Sequence, residues 1–223
     1  MNPYYQDDYI TLYHADCLQH LDMLNQADVM VTDPPYGINN QSRKGAYKGA
    51  GSQIYNASPI AGDLTLEARD KVLTAWGARP AIVFGVWSKP RPAGTKSRLI
   101  WWKRGSFSGP TRAAFMTQDE EIYVLGKGFI ATSPPQRSVI ETAEPRHLEV
   151  AKIGHPTPKP VGLMETLINR CPESWTIIDP FAGSGSTLRA AKNLGRKAIG
   201  FEIEEKYCEI TAQRLAQETL GIF

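Results

Sequence analysis

Two spacings of apolar residues alternate along the chain. Short continuous apolar runs lie at residues 9–13, 28–32, 81–85, 98–102, 121–125, 175–178 and 197–201. Each has the length of a strand, and their unbroken character predicts strands covered on both faces. Between many of them, apolar residues recur every three or four positions, as on one face of a helix. The helical spacing spans residues 64–76, 161–171, 184–194 and 204–220. Leu66 and Leu73 mark the first stretch, which follows Asp63, a good N-cap. Leu163, Leu167 and Ile168 mark the second; Tyr207, Ile210, Leu215 and Leu220 mark the last. Strands alternating with helices predict an α/β protein with a single doubly wound, mostly parallel sheet and helices on both faces. Ligands in such sheets sit beyond the carboxyl ends of the strands. Asp16, Asp33, Asp179 and Glu202 all fall at predicted strand ends, so four acidic side chains should meet at one rim.

The run at 28–32 leads directly into Asp33-Pro34-Pro35-Tyr36-Gly37. Two prolines fix φ and remove backbone donors. They also keep the preceding residues out of the helical region, so the strand cannot turn into a helix here. A carboxylate, rigid carbonyls and an aromatic face are left together. That set suits a flat heterocycle with an exocyclic amine. Such an amine is a poor nucleophile because its lone pair is delocalised into the ring. Hydrogen bonds from its two N–H groups to the Asp33 side chain and the Pro34 carbonyl would localise that lone pair. Asp33 would also stabilise the positive charge that develops on nitrogen. Tyr36 would stack on the ring. Asp, Pro and Gly are also ordinary turn formers, but a plain turn has no use for two prolines and a tyrosine.

The run at 175–178 leads into Asp179-Pro180-Phe181-Ala182-Gly183-Ser184-Gly185-Ser186-Thr187 and then a helical stretch. Gly183 and Gly185 permit close backbone approach to a ligand. The next strand ends at Glu202, in the range where an acidic residue grips ribose hydroxyls. A phosphate loop would need Gly-Lys-Ser/Thr, and no lysine is present. Leu188 occupies the third glycine position of a dinucleotide fingerprint. ATP and NAD are therefore disfavoured, and S-adenosylmethionine, a cationic nucleoside without phosphates, fits better.

With both motifs, the chain resembles the amino-group DNA methyltransferases that use S-adenosylmethionine. Asp-Pro-Pro-Tyr precedes Phe-Ala-Gly-Ser-Gly, an order similar to that of the β group of adenine-N6 enzymes. The stretch Tyr9 to Cys17 resembles the family's strand whose terminal acid, here Asp16, reads the cofactor adenine. His155-Pro156-Thr157-Pro158-Lys159-Pro160 resembles the segment at the cofactor's methionine end. Residues 99–103 with 120–125 resemble the paired strands that close the sheet. The resemblance implies a Rossmann-like methyltransferase fold and catalysis by Asp33, Pro34, Pro35 and Tyr36. It implies a cofactor site from Asp16, Cys17, Thr157, Lys159, Asp179, Phe181, Gly183, Gly185, Ser186 and Glu202. The implied substrate is double-stranded DNA with the base turned out of the helix. Asp33 favours adenine, since cytosine-N4 enzymes more often carry Ser there. Cytosine N4 as the target, and a non-catalytic DNA-binding module of the same fold, stand as alternatives; RNA or protein would also fit such a site. A homodimer and a cognate restriction enzyme are further possible partners.

At 223 residues and 42% hydrophobic content, one domain over 1–223 is expected. No apolar run reaches a membrane span, and the first residues lack an export signal. Cys17, Cys171 and Cys208 are far apart, which argues against a disulfide framework and a metal site and points to a cytoplasmic protein. The net charge is only +2. Its distribution is more telling. Arg43, Lys44 and Lys48 follow the catalytic motif, and Lys89, Arg91, Lys96, Arg98, Lys103 and Arg104 crowd a region with few acids. Both clusters are expected to contact DNA. Residues 38–62 lack regular pattern and read as a mobile loop that orders over DNA. Residues 88–98 and 126–154 are candidates for small target-recognition elements.

Overall fold

The computed structural model describes residues 1–38, 63–104, 114–115, 117–143 and 158–217. Among these residues nine strands form one sheet: β1 (Tyr5–Gln6), β2 (Ile10–His14), β3 (Val29–Thr32), β4 (Ala81–Gly85), β5 (Thr95–Arg104), β6 (Asp119–Leu125), β7 (Val139–Ala143), β8 (Ile177–Asp179) and β9 (Ala198–Glu202). Their spatial order is β1-β2-β9-β8-β3-β4-β6-β5-β7. Strands β2, β9, β8, β3 and β4 run parallel; β6 is antiparallel to both of its neighbours, and β1 is antiparallel to β2. This is the mostly parallel sheet that the alternating pattern predicts.

The α-helices among the described residues are α1 (Glu67–Trp76), α2 (Val161–Ile168), α3 (Ser186–Asn193) and α4 (Glu205–Ala216). Successive strand residues point to opposite faces, and the core divides accordingly. Val29, Val31, Ile82, Phe84 and Ile177 pack with residues of α2, α3 and α4. Met30, Ala81, Val83 and Ile178 pack on the other side with Val72 and Trp76 of α1 and with Leu24. Both faces are covered, which is why these strands read as unbroken apolar runs. The crossover from β3 through α1 leads to β4 on one side; that from β8 through α3 leads to β9 on the other. The sheet therefore changes winding direction between β8 and β3, and a crevice is expected at that point.

Three local expectations differ from the structure. Asp63 does not cap α1; Leu66 holds the cap position, without a side-chain hydrogen bond. The Asp63 carboxylate instead accepts the Gly37 N–H at 2.9 Å. It pins the end of the Pro-Pro-Tyr turn, where Gly37 has φ of +67° and a Cβ would lie 2.9 Å from the Thr65 carbonyl carbon. Residues 139–143, part of a stretch without evident pattern, form strand β7 against β5. Ile140 is the residue of β7 in the core, too little for a periodic signal. Strand β1 is two residues long and equally silent.

Candidate active site

The turns after β3 and β8 meet at the winding reversal. Thr32, the last residue of β3, donates its hydroxyl to Asp179 Oδ1 at 2.7 Å, and the Phe181 N–H donates to the same oxygen at 3.1 Å. Both Thr32 and Asp179 are buried. Burial pushes the Asp179 carboxyl up to about 6, against the hydroxyl and amide donors that favour its charge. The two motifs of the sequence thus share one edge.

Beyond Thr32, Asp33 keeps a quarter of its side-chain surface exposed (26%). The Tyr36 hydroxyl donates to Asp33 Oδ1 at 2.5 Å, and Lys159 Nζ donates to Oδ2 at 2.6 Å. Each carboxylate oxygen retains a second lone pair for a further donor. Lys159, from the segment before α2, also lies 3.2 Å from Glu120 Oε2 on β6. The Tyr36 hydroxyl approaches that same oxygen at 3.1 Å. Lys103 on β5 donates to Glu120 Oε1 at 2.5 Å. Burial raises the Asp33 carboxyl above its ordinary value, with Lys159 opposing and Glu120 adding to the rise. Burial acts upward on Glu120 too, but Lys159 and Lys103 outweigh it and hold this carboxyl low. Burial disfavours the Lys159 charge, yet Asp33 and Glu120 overcome it and raise the ammonium above its usual value. Tyr36 is held well above its ordinary value by burial and then by both carboxylates, so its hydroxyl remains a donor.

Sequence reasoning placed Lys159 at the cofactor; the structure puts its ammonium on Asp33 and Glu120. Glu120 and Lys103 were missed as members of this site. Lys103 belongs to the cluster expected to contact DNA, but it is buried. The only available signal was an acidic pair, Glu120-Glu121, inside an otherwise apolar strand. The pairing of Trp101 with Glu120 puts Lys103 two residues further along the same face of β5.

On the other side of Asp179 lies the glycine turn. Gly183 and Gly185 have φ of +52° and +76°. A Cβ on Gly185 would come within 2.4 Å of Thr211 Cγ2 on α4. Glu202 ends β9 beside this turn. Its Oε2 accepts the Gly183 N–H at 2.8 Å, and its Oε1 accepts the Glu204 N–H at 2.8 Å. Burial raises the Glu202 carboxyl, and these amides oppose the rise. Asp16, at the end of β2, accepts the Leu18 N–H at 2.9 Å. The buried Cys17 thiol is pushed up to about 12 by burial, then by the charges of Asp16, Asp179 and Glu202. Asp16, Cys17, Asp179, Phe181, Gly183, Gly185, Ser186 and Glu202 are therefore gathered on one rim. The Ser186 hydroxyl, at the first residue of α3, is buried without a hydrogen-bond partner among the described residues. Carboxylates with spare lone pairs beside a glycine turn form a donor and acceptor set that fits a nucleoside. Thr157 lies outside the described residues.

The basic clusters divide. Arg43, Lys44, Lys48 and nearly all of the 38–62 stretch lie outside the described residues. In the second cluster, strand pairing brings acids alongside. Arg98 bonds Glu121 at 2.9 Å, Arg91 lies 3.9 Å from the same carboxylate, and Arg104 bonds Glu141 at 2.9 Å. Lys89 and Lys96 make no ion pair among the described residues. Lys89 closes a turn on the Val86 carbonyl at 3.1 Å, just beyond β4, and Trp87 on that turn is 73% exposed.

Residues 90–213 match the model of a family described as DNA methylase. The type II methyltransferase M.ScaI of Streptomyces caespitosus is 26% identical over 268 residues, covering 99% of this chain and 86% of the relative. YubD of Escherichia coli (strain K12), named as a methylase, is 30% identical over 211 residues, covering 86% of this chain and 83% of the relative. Among solved structures, the PvuII DNA methyltransferase, described as cytosine-N4-specific, has a TM-score of 0.71 at 16% identity, covering 98% of this chain and 90% of that one. A complex of M1.HpyAVI with SAM has a TM-score of 0.63 at 22% identity, covering 92% of this chain and 99% of that one.

Proposed function

The chain belongs to the DNA methylase family that modifies exocyclic amines, and from that premise we propose that it methylates the N6 amine of adenine in DNA. The observation that carries this reading is the hydrogen bond from Thr32 to Asp179, which locks the Asp33-Pro34-Pro35-Tyr36 turn and the glycine turn to one edge. The methyl donor is S-adenosylmethionine. When bound it would supply an electrophilic methyl carbon: the amine would gain a C–N bond, the pair of the broken C–S bond would stay on sulfur, and the nitrogen would release a proton to water.

The chain's own residues prepare the amine. Asp33 and the Pro34 carbonyl accept its two N–H bonds and aim its lone pair. Asp33 stabilises the charge that grows on nitrogen. Tyr36, its hydroxyl tied to Asp33, offers a ring against which the extruded base can stack. Such stacking offsets about 1–3 kcal/mol of the few kcal/mol needed to unstack a base. On the donor side, Glu202 accepts ribose hydroxyls with its remaining lone pairs, Asp16 reads the adenine, and Gly183, Gly185, Phe181 and Ser186 shape the wall. Lys89, with Trp87 beside it, offers a DNA contact at the same rim. The whole of 1–223 acts as one domain, with residues 88–98 contributing target contacts. Among the described residues no helix is long and apolar enough to cross a membrane.

Asp33, where cytosine-N4 enzymes more often carry Ser, supports adenine. Mass spectrometry of nucleosides from treated DNA tests this. N6-methyladenine is expected; N4-methylcytosine would move the proposal to the other base, and no methylated base in DNA would overturn it.

A further inference from the structure

We propose that Glu120, with Lys103 beside it, is a positioning residue for methyl transfer: it shares the Lys159 ammonium and the Tyr36 hydroxyl with Asp33 and so fixes the charge and aim of the catalytic carboxylate. The inference rests on Asp33 as the acceptor of the target amine.

Four elements supply the cluster, namely the end of β3, β6, β5 and the segment before α2. Side-chain exposure rises toward Asp33, from 6% at Lys159 and 10% at Lys103 through 15% at Glu120 to 26% at Asp33. Of these four charged side chains, the most exposed is the one that must meet the substrate. Behind it stand two ammonium groups and one further carboxylate. Lys159 lies 2.6 Å from Asp33 Oδ2 and 3.2 Å from Glu120 Oε2. The Tyr36 hydroxyl lies 2.5 Å from Asp33 Oδ1 and 3.1 Å from that same Glu120 oxygen. Both donors favour Asp33 but have a second acceptor within reach.

This second acceptor matters when a substrate arrives. An incoming amine takes a free lone pair of Asp33 and so weakens the hold of that carboxylate on Lys159 and Tyr36. A buried donor that loses its acceptor is costly, and a buried unpaired charge more so. Glu120 gives both donors another seat, so Asp33 can accept the amine without stranding them. Lys103, at 2.5 Å from Glu120 Oε1, helps keep Glu120 ionised for that task. The groups that face Asp33 are Tyr36 on its own turn, Lys159 before α2, Glu120 on β6 with Lys103 behind it on β5, and Asp179 on β8.

Glu120→Gln, Glu120→Asp and Lys103→Gln test the proposal by single-turnover methyl transfer to duplex DNA across pH, with cofactor and DNA affinities measured alongside. In Glu120→Gln the saturated rate should fall roughly tenfold to a hundredfold, as for a slightly misplaced reacting group, with both affinities nearly unchanged. Loss of a neighbouring negative charge lowers the Asp33 carboxyl, so the acid limb should move to lower pH. Lys103→Gln removes a positive charge and should move it to higher pH. Glu120→Asp should recover part of the rate. A full rate with an unmoved acid limb in Glu120→Gln, or limbs that move the same way in both Gln variants, overturns the proposal. Direct titration of the Asp33 carboxyl by carbon NMR reads the same opposite shifts without turnover. If the wild-type protein transfers no methyl to DNA, the functional reading fails on its own, and this titration still decides whether Glu120 and Lys103 set Asp33.

Discussion

Asp33 must remain charged in a partly closed site and keep lone pairs for a substrate. Its two donors meet the first demand, and the four acceptor positions of a carboxylate meet the second. Asp33→Ala should cut methyl transfer by about 10²–10³-fold, the usual cost of one aimed electrostatic group. Cofactor affinity by calorimetry should hold, because Glu202 and the glycine turn remain intact. Near-normal turnover in Asp33→Ala would remove the mechanism. Asp179 gives a pH prediction of its own. Its carboxyl is raised by burial to about 6, above the ordinary value of an aspartate. A raised folded value contributes stability that is complete below the unfolded value and lost as pH rises through the folded one. About two units correspond to about 3 kcal/mol. Asp179 therefore opposes folding at neutral pH and ceases to do so near pH 4. Carbon NMR of the Asp179 carboxyl should show a midpoint near 6; one near 3.8 would contradict the burial argument. At this scale the motif acids were legible because each ends an apolar run. Glu120 was not, because only the fold brings β6 beside the Asp33 turn.

The elements owe their visibility to depth in the sheet. Seven strands read from the sequence are present, and β3, β4 and β8 at the centre are buried on both faces. β1 and β7 went unseen at the edges, where little apolar surface is buried. Strand pairing was also hidden, and it changed the charge picture: β6 carries Asp119-Glu120-Glu121 past the cations of β5. One close approach is testable by stability. A Cβ on Gly200 of β9 would lie 2.6 Å from Leu188 Cδ1 on α3, and Leu188 is fully buried. Gly200→Ala should cost about 1–3 kcal/mol by overpacking, seen as a lower thermal midpoint. An unchanged midpoint would mean that Leu188 relaxes freely.

For the whole molecule the net charge is +2, and among the described residues Arg91, Arg98 and Arg104 already face acids. Lys89→Ala should weaken duplex binding across sequences and reduce the salt dependence by about one charge. Arg98→Ala should do less, because Glu121 already engages it. Equal effects would place the DNA path along β5. The most direct test of the account is the position of bound S-adenosylhomocysteine, the demethylated donor, in a crystal of the complex. Its ribose should lie on Glu202 and its sulfur end should open toward Asp33 across the junction of β3 and β8. A ligand seated away from that junction, with the Asp33 turn facing an unrelated surface, would contradict it.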